Sequence, residues 1–138
     1  MERTIVKDIE FLKQKSEPFI IGEDDSIIID MIDTANAHKE NCVGLAGVQI
    51  GVLKRVILVR NGDEFIPFIN PIIVKRSGKT YIANEGCLSL EGKRNVKRWY
   101  AVMVAWTDTK GKRNVKIFNG YFAEILQHEI DHLNGVLI

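Results

Sequence analysis

Apolar residues recur at helical spacing near both ends of the chain. A first helix is predicted over residues 26–40, where apolar positions are separated by three or four residues. These positions are Ile28, Met31, Ile32 and Ala35. A second helix is predicted over residues 121–134, with Asn119 as its N-cap and Gly135 after its end.

Between the two helices the pattern is typical of strands and turns. Strands are predicted at residues 56–59, 65–74, 80–83, 101–106 and 114–118. Asn61-Gly62 is a strong turn dipeptide, and Pro67 and Pro71 should place an edge or a bend in the second strand. The last two strands flank a short turn and read as a hairpin. Helix, antiparallel strands and late helix together predict an α+β fold.

Composition narrows the class of protein without naming its function. The 138 residues suffice for one domain, and we expect a single domain over residues 1–138. Two cysteines cannot build a disulfide scaffold, and no apolar run approaches the ~20 residues that span a bilayer. The net charge of +1 argues against strong attraction to nucleic acid or to an anionic membrane. We also expect no signal peptide and a reducing compartment.

The late helix carries the motif H-E-x-x-H. His128 and His132 lie one turn apart on the same face, so both imidazoles can bind one metal ion. Glu129 can then act as a general base toward a water molecule at the metal. The alternative is a chance pair of histidines on a solvated face. Apolar neighbours favour burial, and a metal would satisfy these buried polar side chains. Asp131 could support a metal ligand from behind or be a solvated charge, and we expect the solvated charge.

A catalytic metal usually needs a third protein ligand, and Cys87 is the best candidate. It follows Gly86, a residue whose backbone can approach another group closely. Cys87 could instead be a small buried apolar residue, or a nucleophilic thiol with a histidine base. The remaining histidine, His38, is expected to be solvated, and Cys42 to serve packing.

A segment rich in small residues, 43–51, contains one polar side chain that is expected to be buried, Gln49. This is either an ordinary tight turn or a backbone edge that approaches a substrate. In the second interpretation the Gln49 amide donates a hydrogen bond to a developing oxyanion.

Three motifs, at residues 44–51, 85–89 and 127–135, resemble those of the peptide deformylase family in order and spacing. The second reads E-G-C-L-S and the third Q-H-E-x-D-H-L-x-G. The resemblance implies antiparallel sheets packed around the helix that carries H-E-x-x-H. It also implies removal of the N-formyl group from the N-terminal formyl-methionine of nascent polypeptides, with release of formate.

The resemblance assigns roles to individual residues. The metal ligands would be Cys87, His128 and His132, with Fe(II) as the family's ion and zinc, nickel or cobalt as alternatives. Glu129 would be the general base and later the general acid. Gln49 and the backbone N–H of Leu88 would polarise the formyl oxygen.

Substrate recognition is expected to be local. A peptide can add as a strand along the edge that begins at Val43 and Gly44, through hydrogen bonds that ignore its sequence. Val43 and Ile125 are candidate walls of the methionine pocket, beside the close approach at Gly86. Arg94 is a candidate contact to the peptide backbone, or a solvated surface arginine.

The expected partners are formyl-methionyl nascent peptides in a bacterial cytoplasm, without nucleic acid or membrane. The ribosome exit region is a further partner in this picture, reached without the C-terminal tail that many bacterial members carry. The chain departs from the family pattern at Cys42, Gly47 and Leu90-Glu91, where glycine, alanine and a hydrophobic residue with proline are usual.

Two other classes compete with this interpretation. A zinc endopeptidase also uses H-E-x-x-H, but its downstream ligands need more chain than the six residues after His132. A structural metal domain would normally close the site with four protein ligands, and only three candidates are present.

Overall fold

The computed structural model describes residues 1–138. Its helices are α1 (Ile9–Leu12), α2 (Asp25–Ala37) and α3 (Gly120–Leu133), with one turn of 3₁₀ helix at Gly47–Ile50. Its strands are β1 (Gly44–Ala46), β2 (Val56–Asn61), β3 (Glu64–Arg76), β4 (Thr80–Glu85), β5 (Arg94–Trp99), β6 (Ala101–Thr107) and β7 (Arg113–Asn119).

All strands pair in antiparallel fashion, in two sheets. The larger sheet has the order β1-β2-β3-β6-β7, and β4 and β5 form a separate two-stranded sheet. Helix α3 packs against both sheets. The α+β prediction, with a late helix among antiparallel sheets, is confirmed.

Two apolar clusters cover the two faces of the larger sheet. On one face α3 packs Leu126 and Leu133 against sheet residues that include Val104, and all three are fully buried. On the other face α2 packs Met31 over Leu58 of β2. Burying a Leu or Met side chain is worth about 1.5–3 kcal/mol, so these contacts fix where α3 lies. None of the helices has the length and apolar character needed to cross a lipid bilayer.

The element boundaries differ from prediction in three ways. Helix α2 ends at Ala37 instead of near residue 40, because a turn follows directly. Asn119 occupies the N-cap position of α3 as predicted, but it also ends β7 and its side chain makes no capping hydrogen bond. Gly135 follows α3 with a positive φ of 77°, as expected. The segment 65–74, predicted as one or two strands, is one strand that extends to Glu64–Arg76, and Pro71 lies at the first of its two register shifts, between Ile69 and Ile72.

Strand β5 was not predicted at all. Its sequence is mostly charged and lacks the apolar alternation of a half-buried strand. Pairing with β4 in full register, from Thr80–Trp99 to Glu85–Arg94, is what holds it in place. The strand conformation of β5 therefore depends on its pairing with β4 and cannot be predicted from its own sequence.

Candidate metal centre

Helix α3 buries three polar side chains of types that usually lie at least partly at the protein surface. His128 is 6% exposed, Glu129 4% and His132 0%. Gln127 fastens this part of the helix to β5: its Oε1 accepts from the Trp99 N–H and its Nε2 donates to the Trp99 carbonyl, both at 3.0 Å. The helix is thus held by polar as well as apolar contacts at the level of its two histidines.

Cys87 follows the end of β4 and lies close to His128 and His132. The strand stops at Glu85, and the short segment after it leads across the face of α3. The Cys87 Sγ and one ring nitrogen each of His128 and His132 lie within 4.8 Å of one another. The Nε2 atoms of the two histidines are 3.1 Å apart. Two nitrogens bound to one tetrahedral ion at about 2.05 Å would be ~3.3 Å apart, so the spacing suits a shared metal.

Glu85 orients the first histidine. Its Oε1 lies 2.7 Å from Nδ1 of His128, which can donate to it and leave Nε2 free for a ligand. Burial acts to raise the pKa of Glu85, but hydrogen bonds from Arg98 and His128 lower it to about 2. Glu85 is therefore an ionised carboxylate at neutral pH.

Arg98 on β5 completes this arrangement. It is 3% exposed and binds both oxygens of Glu85, at 2.7 and 2.8 Å. It also donates to Asp131 at 2.6 Å. The expectation that Asp131 is a solvated charge is wrong, because Arg98 reaches it from a strand that the sequence pattern does not reveal. Removing Arg98 would leave two carboxylates without their partner.

Glu129 faces the space beside the candidate ligands. Its Oε1 is buried without a hydrogen-bond partner, as is Nδ1 of His132. Burial raises the pKa of Glu129 to about 7, against the opposing effect of His128. Burial also lowers the pKa of His132 to about 3, so its imidazole is neutral and has a lone pair to offer. The thiol and the two imidazoles form a Cys-His-His donor set of the kind that binds a divalent cation, and the unpartnered Glu129 oxygen is free to contact a water molecule beside it.

Gln49 lies in the 3₁₀ helix and is 1% exposed. Its Oε1 accepts from the Ala46 N–H at 2.9 Å, and this fixes the direction of the amide. Its Nε2 donates to Oγ of Ser89 at 3.2 Å, toward the segment that carries Cys87. The amide therefore presents its N–H side to the candidate centre.

A cavity of ≈ 470 Å³ opens over these groups. Eight of the candidate residues line it: Val43, Gly44, Gly86, Cys87, Leu88, Ile125, His128 and Glu129. The buried Glu85 also lines it beside His128, and its outer part is formed by Glu40, Asn41, Asn84, Lys93, Tyr121 and Glu124. Neither Gln49, His132 nor Arg94 is among the lining residues. The Arg94 guanidinium instead donates to the Glu91 carbonyl at 2.7 Å.

Three residues singled out by the sequence lie outside the centre. His38 is half-buried in the turn after α2, away from the three candidate ligands. Cys42 is 2% exposed, its Sγ donates to the Gly44 carbonyl, and burial raises the pKa of its thiol to about 12. Gly47 has the Lys54 carbonyl 2.9 Å from where a Cβ would stand, so this backbone suits glycine better than the family's alanine.

Glu85, Arg98 and Ser89 were given no role from the sequence, although two of them lie inside the E-G-C-L-S motif. The position of Glu85 two residues before a candidate ligand was a usable signal. Arg98 gave none, since an arginine in a charged segment is ordinarily solvated.

Gly44 packs directly against Glu129. A Cβ at this position would stand 2.6 Å from Oε2 of Glu129 and 2.7 Å from Cγ2 of Ile125. We expect Gly44→Ala to displace the Glu129 carboxylate and lower kcat, by up to about 10²-fold for a shift near 1 Å. Gly78→Ala is the matched control, because no atom lies within 4 Å of its Cβ position. Equal kcat values in the two variants would contradict the close contact.

Comparison with known proteins identifies the class to which this fold and centre belong. Residues 3–138 match the profile of the polypeptide deformylase family. The chain is 45% identical over 139 residues to a peptide deformylase of Clostridium beijerinckii, with 100% of both chains covered. A peptide deformylase of Legionella pneumophila superposes with a TM-score of 0.89 at 37% identity, covering 99% of this chain and 83% of that one.

A class I type b peptide deformylase of Acinetobacter baumannii, crystallised with Met-Ala-Ser bound, is also similar. It has a TM-score of 0.87 and 28% identity, over 99% of this chain and 96% of that chain. The fold is thus that of a class of metal-dependent hydrolases, and the Cys-His-His group is a possible metal site. The chain belongs to the polypeptide deformylase family, and it removes the N-formyl group from nascent polypeptides.

Proposed function

We propose that residues 1–138 form one catalytic domain in which Cys87, His128 and His132 hold a single divalent ion, Fe(II), beside the base Glu129. The observation that carries the proposal is the convergence of the three donors, within 4.8 Å, next to a buried carboxylate oxygen without a partner. The donor set suits both iron and zinc, and the preference for Fe(II) rests on family resemblance. Nickel, cobalt or zinc would occupy the same ligands.

When bound, such an ion supplies Lewis acidity, which activates a water molecule and polarises the formyl carbonyl. Glu129 takes a proton from the attacking water through its free oxygen. The same carboxyl then gives that proton to the amide nitrogen of the leaving peptide. A pKa near 7 in the absence of an ion suits both transfers, because neither protonation state is strongly disfavoured.

Gln49 and the backbone N–H of Leu88 stabilise the negative charge that grows on the formyl oxygen. The Gln49 amide is held from behind by Ala46 and extends toward Ser89, so it needs no reorganisation during the reaction. Leu88 follows Cys87 directly and lines the cavity. Removing one such donor typically costs about 10²–10³ in rate.

The substrate binds as an added strand at the free edge of β1. Strand β1 pairs only with β2, so its other edge is open at the cavity. Gly44 lets a peptide backbone come close, and Gly86 does so on the opposite wall. Val43 and Ile125 enclose the methionine side chain. Arg94 contacts the peptide only if its guanidinium leaves the Glu91 carbonyl. Met-Ala-Ser bound to the A. baumannii relative supports a short peptide as ligand.

The proposed location and partner are those of the substrate. Nascent formyl-methionyl polypeptides are made in the bacterial cytoplasm, and the ribosome exit region is where the enzyme would meet them. No membrane partner is included in the proposal.

Anaerobic purification followed by metal analysis and a formate-release assay tests this function. We expect about one divalent ion per chain, release of formate from formyl-Met-Ala-Ser, and no cleavage of a formyl-free, internally quenched peptide. Absence of stoichiometric metal would overturn the centre. Cleavage of the quenched peptide without formate release would favour an endopeptidase.

A further inference from the structure

Charge is distributed very unevenly along this nearly neutral chain. Residues 75–116 contain eleven of the nineteen basic residues and three of the eighteen acidic ones, a net charge of +8. The rest of the chain carries −7. The overall value of +1 therefore describes neither part of the molecule.

Few cations between residues 75 and 116 are ion-paired. In the rest of the chain four of the eight basic residues pair with an acid, as Arg3 does with Asp30 at 2.7 Å and Lys54 with Glu17 at 3.2 Å. Nine exposed cations between residues 75 and 116 have no ion pair: Lys75, Arg76, Lys79, Lys93, Lys97, Lys110, Lys112, Arg113 and Lys116. Lys93 lines the cavity over the candidate centre, and we call the other eight residues the basic strand surface.

The acids of this region do not neutralise the surface. Glu85 is buried and paired with Arg98. Asp108 accepts backbone N–H groups of Lys110 and Lys112 and the amide of Asn114, which hold the turn of the last hairpin. Glu91 is the one exposed acid between residues 75 and 116.

Contacts on three strands bring several of these cations together. The Arg76 guanidinium lies 4.7 Å from the ring centre of Trp99, and the Lys97 ammonium lies 5.5 Å from the same ring. Lys75 and Arg76 line a shallow cavity of ≈ 220 Å³ together with Ile117. Lys116, the preceding residue in β7, lies on the opposite face, with its ammonium 5.4 Å from the ring centre of Phe118. The register places Lys75 two strands away from Ile117, about 10 Å across the sheet.

The positive charge lies on both faces of the sheet edge. Lys75 and Arg76 are consecutive in β3, and Arg113 and Lys116 are three residues apart in β7, so each pair points to opposite faces. A flat bilayer can contact only one of these faces at a time. A second copy of the chain would bring like charges together. A flexible polyanion can follow the edge and reach both faces.

We infer that the basic strand surface binds the phosphate backbone of RNA. The seven residues of β7 extend about 24 Å, which is long enough to lie along several phosphates of an extended single strand. We choose RNA over DNA because nascent polypeptides, the substrate in the proposed function, are made on RNA-containing machinery. Binding is independent of base sequence, because side chains of this kind contact phosphates and not base edges.

Fluorescence anisotropy with a labelled single-stranded RNA of about 12 nucleotides, at about 50 and 200 mM salt, tests the inference. Wild type should bind in the micromolar range at the lower salt concentration and much more weakly at the higher one. Lys75→Glu/Lys116→Glu should weaken binding about tenfold or more and lower the slope of log K against log salt by about 1.4. Both residues are exposed and remote from the metal ligands, so formate release should be unchanged and reports correct folding.

Lys7→Glu/Lys15→Glu is the matched control. It changes the net charge equally, at two exposed lysines of the first half, and should weaken RNA binding less than about twofold. An equal loss in both double variants would mean that bulk charge, not this surface, is responsible. Failure of wild type to bind RNA, or binding to anionic phosphatidylglycerol vesicles instead of RNA, would also overturn the inference.

Discussion

Glu129→Gln should lower the rate of formate release by about 10²–10⁴-fold, the usual contribution of a general acid–base group. The amide has nearly the shape of the carboxylate, yet it cannot take a proton from water or return one to the leaving nitrogen. The three candidate ligands are untouched, so the protein should keep its metal. Formate release at saturating formyl-Met-Ala-Ser and metal content by elemental analysis are the two measurements.

Glu124→Gln provides the control for this variant. Glu124 lies on the same helix at the outer part of the cavity, where its Oε1 accepts the Tyr81 hydroxyl at 2.8 Å. Removing this charge should leave kcat almost unchanged. A Glu129→Gln enzyme with the rate of wild type would eliminate the proposed proton transfers, whereas joint loss of metal and activity would make Glu129 structural.

Cys87→Ser should abolish stable metal retention and, with it, activity. A serine hydroxyl stays protonated near neutral pH and is a far weaker ligand for iron or zinc than a thiolate. The loss of affinity should exceed the ~10–100-fold that removal of an outer hydrogen-bond partner of a ligand costs. Metal retained after dialysis against a chelator measures it.

Cys42→Ser tests the same chemical change at the other cysteine. The Cys42 thiol is buried and donates to the Gly44 carbonyl, a bond that a serine hydroxyl can also make. We expect this variant to retain metal as wild type does. If both variants lose metal equally, the effect is one of folding; if neither does, Cys87 is not a ligand.

The sequence predicted the helices and strands whose residues show a regular apolar pattern. The period of apolar residues located α3 within one residue at each end, and alternation located the hairpin of β6 and β7. Strand β5 could not be found, because its backbone is held by β4, a partner that lies outside any local window. The early end of α2 is similar, since the turn after it leads into the wall of the cavity.

The candidate centre also has one part that local sequence predicts and another that depends on the fold. H-E-x-x-H fixes the separation of His128 and His132, because helix geometry places residues four apart on one face. The convergence of Cys87 on that face depends on where β4 ends, and a spacing of 41 residues between Cys87 and His128 says nothing about it. Arg98 and Asp131 show the same limit, since their ion pair joins β5 to α3.

The sequence by itself determined which residues are the candidates for the chemistry of this protein: one cysteine, two histidines and one glutamate in motifs typical of a deformylase. Tertiary structure decided the environment of those residues, namely the burial that raises the pKa of Glu129 and the carboxylate that orients His128. It also decided which charges remain free. Side-chain identity is a local property of the chain, whereas burial and pairing arise only when distant segments meet.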